Sequence, residues 1–190
     1  MPHDVVLISF LASSLFHDGW PIEVGLATVE NDEPVIWSSL IRRQESWPIT
    51  GWSFTSQEQH QISLETLAGA PAAADVASQL LSVIWRRPVV SATPRFDSKC
   101  LARLFAACDL QVTVQLIDWD AFIRAEYPAA EVENILSQMD APRLDHRVGS
   151  ILERMLTVSR RDGQKTPANA GAEDLSLPFP FGAPHQTSAY

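Results

Sequence analysis

The first forty residues contain three apolar stretches of strand length, separated by short polar turns. Val5–Leu11 is apolar except for one serine, a pattern typical of a strand that is buried on both faces. Ile22–Val29 and Pro34–Ile41 follow, and Asn31 and Asp32 supply a turn between them. Because the connections are short, we predict an antiparallel meander of three strands.

Further along the chain, helical periodicity alternates with short apolar stretches. Apolar residues at helical spacing predict helices at Ala72–Ile84, Asp97–Cys108, Trp119–Glu126, Ala130–Met139 and His146–Val158. We also predict short strands at Val89–Val90 and Gln111–Ile117, a helical turn at Ser63–Leu67 and a long loop at Ser46–His60. A meander followed by crossover units predicts an α/β fold, in which parallel strands join the meander to form a mixed five-stranded sheet flanked by helices.

The composition changes at Ser159, where the periodicity disappears and Pro, Gly, Ala and Ser become frequent. We therefore expect one domain over residues 1–158 and a flexible tail over residues 159–190. A domain of this length can bury a core that is stable without a partner.

The charge of the chain restricts the function classes that fit it. The formal net charge is −9, with 14 lysines and arginines together, which argues against strong non-specific binding of nucleic acid. A small basic groove remains compatible with it. The apolar runs are too short to cross a bilayer, and the first residues lack the basic leader of a signal peptide. We therefore expect a cytoplasmic protein without membrane contact.

Four segments resemble, in order, the motifs of one enzyme family. "VVLISFLASSLFHDGWPIEVGLATV" is similar to a motif of two acidic residues two positions apart, a Ser/Thr/Gly turn and a Pro-Ile-Glu strand. "HQISLETLAGAP" resembles a His-Gly-Ile segment, "VVSATPRFDSKCLARL" a Phe-Asp before a helix, and "LDHRVGSILERML" a histidine with an aspartate five positions later. Together they resemble the DEDDh 3′–5′ exonucleases, the family of ribonuclease T and bacterial proofreading subunits. The resemblance implies a ribonuclease-H-like fold.

The resemblance also implies a chemistry and shows where this chain departs from it. The family is understood to hold two divalent metal ions with four carboxylates, and to use a histidine as general base. Three of the acidic positions fall on Ser9, Leu11 and Ile151. Asp97 retains its carboxylate, and His146 matches the general base. Since close dications need several anionic ligands, we expect a degenerate site with vestigial Asp97 and His146 and no bound cofactor.

Two functions follow from this comparison. The first is an inactive or very weak pseudo-exonuclease that binds single-stranded nucleic-acid ends or a protein partner. The cations expected to contact phosphates are Arg95, Lys99, Arg143 and Arg147. The alternative is an active 3′–5′ exonuclease with two Mg²⁺ or Mn²⁺ ions at a migrated site. The carboxylates near the matched segments are Asp4, Asp18, Asp145, Asp118 and Asp120, although we expect the last two to cap a helix.

The tail carries a second candidate interface. "DLSLPFPF", from Asp174 to Phe181, is similar to short peptides that dock on the bacterial sliding clamp. Leu175, Leu177 and Phe179 would be the apolar anchors, although Asp174 stands where such peptides prefer glutamine. The alternative is a tail that folds back on its own domain or mediates self-association. A homodimer also stays open, since relatives such as ribonuclease T are dimers.

Overall fold

A computed structural model of the chain describes residues 4–30, 33–110 and 112–139. The strands of this part are β1 (Val6–Ala12), β2 (Pro21–Glu30), β3 (Glu33–Leu40), β4 (Val89–Ser91) and β5 (Leu116–Asp118). Its α-helices are α1 (Phe54–His60), α2 (Leu64–Ala68), α3 (Ala73–Ile84), α4 (Pro94–Ala106), α5 (Trp119–Glu126) and α6 (Ala129–Met139), and a 3-10 helix spans Ile49–Gly51. None of the helices in these ranges has the length and apolarity that a membrane crossing requires.

The strands form one mixed sheet in the order β3-β2-β1-β4-β5. β1 pairs antiparallel with β2, and β2 pairs antiparallel with β3, whereas the β1–β4 and β4–β5 pairs are parallel. The predicted meander and the predicted mixed five-stranded sheet are therefore confirmed. Parallel neighbours cannot be joined by a hairpin, so helices make the crossovers. Here α3 leads into β4, and α4 connects β4 to β5.

The central strand β1 contributes to a hydrophobic core on each side of the sheet. Ile8 and Phe10 belong to the core that includes residues of α3 and α4, whereas Leu7 belongs to the core that includes residues of α5 and α6. Side chains alternate along a strand, so Ser9 and Leu11 face the same side as Leu7. Helices thus pack on both sides of the sheet, and two matched acidic positions share one of these sides.

Two predicted elements are wrong. The segment predicted as a loop, Ser46–His60, contains the 3-10 helix and α1. This helix is only seven residues long and buries one residue, so it lacks an apolar stripe, and its start is set by the Ser53 hydroxyl, which accepts a hydrogen bond from the Ser56 amide. Of the strand predicted at Gln111–Ile117, residues 112–115 are not in a strand, and β5 begins at Leu116, where it pairs with the three residues of β4. The predicted helix His146–Val158 and the tail lie outside the described residues.

The turn after α1 is held by a residue in the left-handed region. Gln61 has φ 59° and ψ 24°, and its amide donates to the Gln57 carbonyl to close the last turn of α1. A residue with a Cβ pays a steric penalty in this conformation, which glycine avoids. Gln61 is also the position at which the His-Gly-Ile segment of the resembled motif carries glycine.

Replacing Gln61 with glycine should therefore stabilise the fold. We expect the free energy of unfolding to rise by about 0.5–1 kcal/mol, since the steric relief exceeds the added entropy of the unfolded chain. The control is Gln79→Gly, the same substitution at an exposed position inside α3, which should lower it by about 1 kcal/mol. Urea denaturation of both variants measures the two signs. A loss of stability in both would show that residue 61 is not strained.

Candidate functional site

The parallel strands β1, β4 and β5 end at the same edge of the sheet, and this edge is the candidate site. In open α/β sheets, ligands bind outside the carboxyl ends of the strands because the loops there are free to carry functional groups. β1 continues past Ile8, the partner of Ser91 at the end of β4. The extra length of β1 and the first turn of α4 therefore lie at the same edge of the sheet.

Asp97 lies at the centre of this edge and is 1% exposed. The helix predicted to start at Asp97 begins three residues earlier, at Pro94, because proline fits the first helical position; Thr93 occupies the cap. One Asp97 carboxylate oxygen accepts a hydrogen bond from the Phe10 amide at 3.0 Å. The other accepts from the Ser91 hydroxyl at 2.5 Å and the Thr93 hydroxyl at 3.1 Å. The carboxylate thus joins β1, β4 and the start of α4.

The register of the sheet explains why β1 needs a carboxylate at this point. Ile8 pairs with Ser91, where β4 ends, so the Phe10 amide has no further strand residue beside it on that side. A buried amide without an acceptor costs about 1–3 kcal/mol, and Asp97 supplies the acceptor. This structural role accounts for an aspartate at position 97 without a metal ion.

The two acidic positions of the first motif are neutral and largely buried. Ser9 is 6% exposed and lies opposite Gly25 of β2, and the half-buried Leu11 lies opposite Glu23. Glu23 is 1% exposed and, by strand alternation, shares the side of the sheet with Ser9 and Leu11. Glu23 thus places a buried carboxylate on β2 beside Leu11, one of the two neutral positions of the motif.

The described residues do not fit a two-metal site. Such a site needs several anionic oxygens around ions about 3.5–4 Å apart, whereas Ser9 and Leu11 carry no charge and Asp97 already accepts from three donors. Within residues 4–30, 33–110 and 112–139, no group of three or more His, Cys, Asp or Glu side chains is arranged to hold a metal ion. The matched positions His146 and Ile151 lie outside the described residues.

The carboxylates considered for a migrated site do not gather at this edge. Asp4 precedes β1, at the opposite end of that strand, and pairs with Arg87 at 3.4 Å. Asp118 caps α5, as expected, by accepting from the Ala121 amide at 3.1 Å. The same expectation is wrong for Asp120, which is exposed within the first turn of that helix. Asp18 lies in the β1–β2 loop, and its backbone carbonyl accepts from Arg103. Asp145 lies outside the described residues.

Two of the predicted phosphate-contacting cations lie on the same helix as Asp97. Arg95 and Lys99 are exposed on α4, one helical turn apart, and their positions two residues either side of Asp97 place them on the face of the helix opposite to it. Arg103 follows at the next i+4 position and reaches the β1–β2 loop. Arg143 and Arg147 lie outside the described residues, as do the tail residues Leu175, Leu177 and Phe179.

The sequence interpretation missed two exposed apolar residues in the β1–β2 loop. Leu15 is 79% exposed and Phe16 is 76% exposed, directly after β1. Large exposed apolar side chains beside a crevice are typical of binding surfaces. The available signal was a Leu-Phe pair in a short turn between two buried strands, where polar residues are the norm.

Cys100, one turn after Asp97 on α4, is not a candidate nucleophile. Burial raises the pKa of its thiol far above the ordinary range, and the negative charge of Asp97 raises it further. The thiol therefore stays protonated, and only a thiolate is reactive. Burial also raises the pKa of Cys108, with Asp109 and Asp75 as smaller causes.

The mixed sheet with helices on both sides defines the ribonuclease-H-like exonuclease fold, and solved structures of DEDDh exonucleases share it. A 3′-exonuclease with "3'-end specific recognition of histone mRNA stem-loop" gives a TM-score of 0.62 at 12% identity, covering 85% of this chain and 82% of that one. The nuclease domain of 3′hExo, "a DEDDh family member, bound to rAMP", gives 0.60 at 12%, covering 86% and 93%. Cell-death related nuclease 4 (CRN-4) gives 0.63 at 11%, covering 86% and 64%. No protein-family model and no curated protein matches the sequence.

Removing the Asp97 carboxylate should destabilise the fold far more than removing a capping carboxylate. Asp97→Ala leaves the buried Phe10 amide and Ser91 hydroxyl without their acceptor, so we expect a loss of about 3 kcal/mol. Asp118→Ala removes an exposed helix cap and should cost about 1 kcal/mol. Urea unfolding followed by tryptophan fluorescence compares the two. Equal losses would contradict the structural role of Asp97.

Proposed function

We propose that this chain is a pseudo-exonuclease that binds single-stranded nucleic-acid ends and hydrolyses them very weakly or not at all. The observation that carries the proposal is the combination at one edge of the sheet. The acidic positions Ser9 and Leu11 are neutral, and Asp97 is engaged in joining β1 to β4. The helix that carries Asp97 also carries the exposed cations Arg95 and Lys99 on its solvent face.

The distribution of charge supports binding of a nucleic-acid strand at α4 although the net charge of the chain is negative. A net charge of −9 disfavours wide contact with phosphates, so a ligand would engage only where cations are concentrated. Arg95 and Lys99 on α4 are such a place, and Arg103 links the same helix to the loop that carries Leu15 and Phe16. Cations beside exposed aromatic or apolar side chains are the usual arrangement in single-strand binding, because the phosphates and the bases each find a partner.

The structural neighbours support a nucleic-acid ligand. One recognises the histone mRNA stem-loop at its 3′ end, and another was solved with rAMP bound. We carry the ligand class, and not the hydrolysis, to this chain, because the fold is shared whereas the neutral residues at positions 9 and 11 do not provide metal ligands. The cytoplasmic location, the homodimer and a protein partner of the tail, such as a sliding clamp, stay predictions.

A metal-dependent exonuclease is the second candidate function. It is favoured by one observation: Glu23 and Asp97 are both buried carboxylates near Leu11, on β2 and α4 respectively. These two carboxylates are fewer than the resembled family uses, so hydrolysis would need further ligands from outside the described residues. The binding experiment below includes a readout that separates the two functions.

Single-strand binding should depend on α4 and not on metal ions. Fluorescence anisotropy with a short labelled DNA or RNA strand should show saturable binding at low salt that is the same in EDTA and in Mg²⁺. Arg95→Gln combined with Lys99→Gln should weaken binding. It should also make the negative slope of log K against log salt shallower by about 1.4, because two phosphate contacts are lost. The strand recovered from the Mg²⁺ titration should keep its full length.

The matched control is Arg86→Gln combined with Arg124→Gln. It changes the net charge equally at two exposed cations, one in the turn before β4 and one in the last turn of α5. We expect little change in affinity or salt slope. Equal effects of the two double variants would contradict a binding site at α4. Shortening of the strand that EDTA prevents and Asp97→Asn abolishes would favour the exonuclease.

A further inference from the structure

The β1–β2 loop, Ser13–Gly19, carries two exposed apolar side chains on a closely tied backbone. Leu15 and Phe16 are 79% and 76% exposed, whereas Ser13 and Ser14 before them are buried. The Gly19 amide donates to the Phe16 carbonyl at 3.1 Å, and the Phe16 amide donates to the Ser14 hydroxyl at 3.3 Å. The loop is thus folded on itself between the two strands.

The base of the loop is tied to the segment around the 3-10 helix. The Ser13 hydroxyl donates to the Gly51 carbonyl at 2.8 Å and accepts from the Trp20 amide at 3.0 Å. The Ser53 amide donates to the Ser13 carbonyl at 3.0 Å. Ser13 therefore fixes the start of the loop to both neighbouring segments.

Close backbone contacts leave the loop little room to move. A Cβ on Gly19 would lie 2.3 Å from the Ser14 carbonyl oxygen, and a Cβ on Gly51 would lie 2.4 Å from the Asp18 carbonyl oxygen. Real Cβ atoms do not approach this closely, so both positions require glycine. The apolar pair is presented from a packed turn.

Arg103 provides the link from this loop to α4. One terminal nitrogen of its guanidinium donates to the Asp18 carbonyl at 2.7 Å and to the Gly19 carbonyl at 2.5 Å. Hydrogen bonds from a charged donor are stronger than neutral ones, and the guanidinium has a fixed planar geometry. Arg103 is half-buried, and its guanidinium is engaged by these two loop carbonyls.

We infer that Arg103 is a positioning residue that holds the β1–β2 loop so that Leu15 and Phe16 are presented to the ligand. The inference rests on the proposed function, because the ligand is the single strand that Arg95 and Lys99 would contact. Arg103 would then contribute to affinity by fixing the loop before binding, which lowers the ordering cost, and not by contacting a phosphate.

The experiment measures the loop and the ligand separately. Hydrogen exchange of the free protein follows the Phe16 and Gly19 amides, and anisotropy follows a labelled single strand over a salt series. The variants are Arg103→Met, which keeps much of the aliphatic length, and Arg103→Lys, which keeps a cation with three donors. Both are also made in a Leu15→Ala, Phe16→Ala background, and urea unfolding monitors the global stability of each.

Arg103→Met should speed exchange of the loop amides and weaken strand binding about tenfold, with an unchanged salt slope. Arg103→Lys should recover part of both. In the Leu15→Ala, Phe16→Ala background, Arg103→Met should cause no further loss of affinity.

Any of three results for Arg103→Met would overturn the inference. The first is unchanged exchange of the loop amides, and the second is a salt slope that becomes shallower by about 0.7, as for a lost phosphate contact. The third is a loss of affinity in the Leu15→Ala, Phe16→Ala background as large as in the unaltered protein. Absence of binding by the unaltered protein would overturn the proposed function alone, and loop exchange would still decide whether Arg103 restrains the loop.

Discussion

The hydrogen bonds of the Asp97 carboxylate hold together the edge of the sheet on which the candidate site depends. β4 ends at Ser91 while β1 continues, so the two strands separate beside Phe10. Asp97 enters from the first turn of α4 and accepts from both strands. The same contact orients α4, whose exposed side carries Arg95 and Lys99. The end of β4, the continuation of β1 and the start of α4 are thus joined by one buried carboxylate.

This structural role explains why Asp97 is acidic although Ser9 and Leu11, at two other acidic positions of the resembled motifs, are neutral. Clustered carboxylates repel one another and are costly to bury unless a cation neutralises them. Ser9 and Leu11 remove that repulsion on β1, whereas Asp97 is retained with three hydrogen-bond donors that satisfy it. Neutral residues on β1 and a satisfied Asp97 fit the proposed binding function, which needs no metal ligands.

The strands were predictable because burial on both sides of a sheet produces a continuous apolar run, as in β1. Most helices were predictable because they bury a stripe of apolar residues at helical spacing, as in α3. The short α1 has no such stripe and was missed. The start of α4 was predicted at Asp97 because the favourable Pro94 start was overlooked, and the bond from Asp97 to Phe10 spans 87 residues of sequence. The contact of Arg103 with Gly19 is similarly distant, so local patterns carry no sign of it.

The neutral positions Ser9 and Leu11 were identified from the motif spacing alone, and the structure places them on β1 beside the crevice. Whether they abolish metal binding is measured most directly by titrating the full chain with Mn²⁺ and following free Mn²⁺ by electron paramagnetic resonance. We expect no saturable site below millimolar concentration, because the hard ligands that such an ion needs are absent from these positions. Two equivalents bound per chain at micromolar concentration, and lost in Asp97→Asn, would contradict the account.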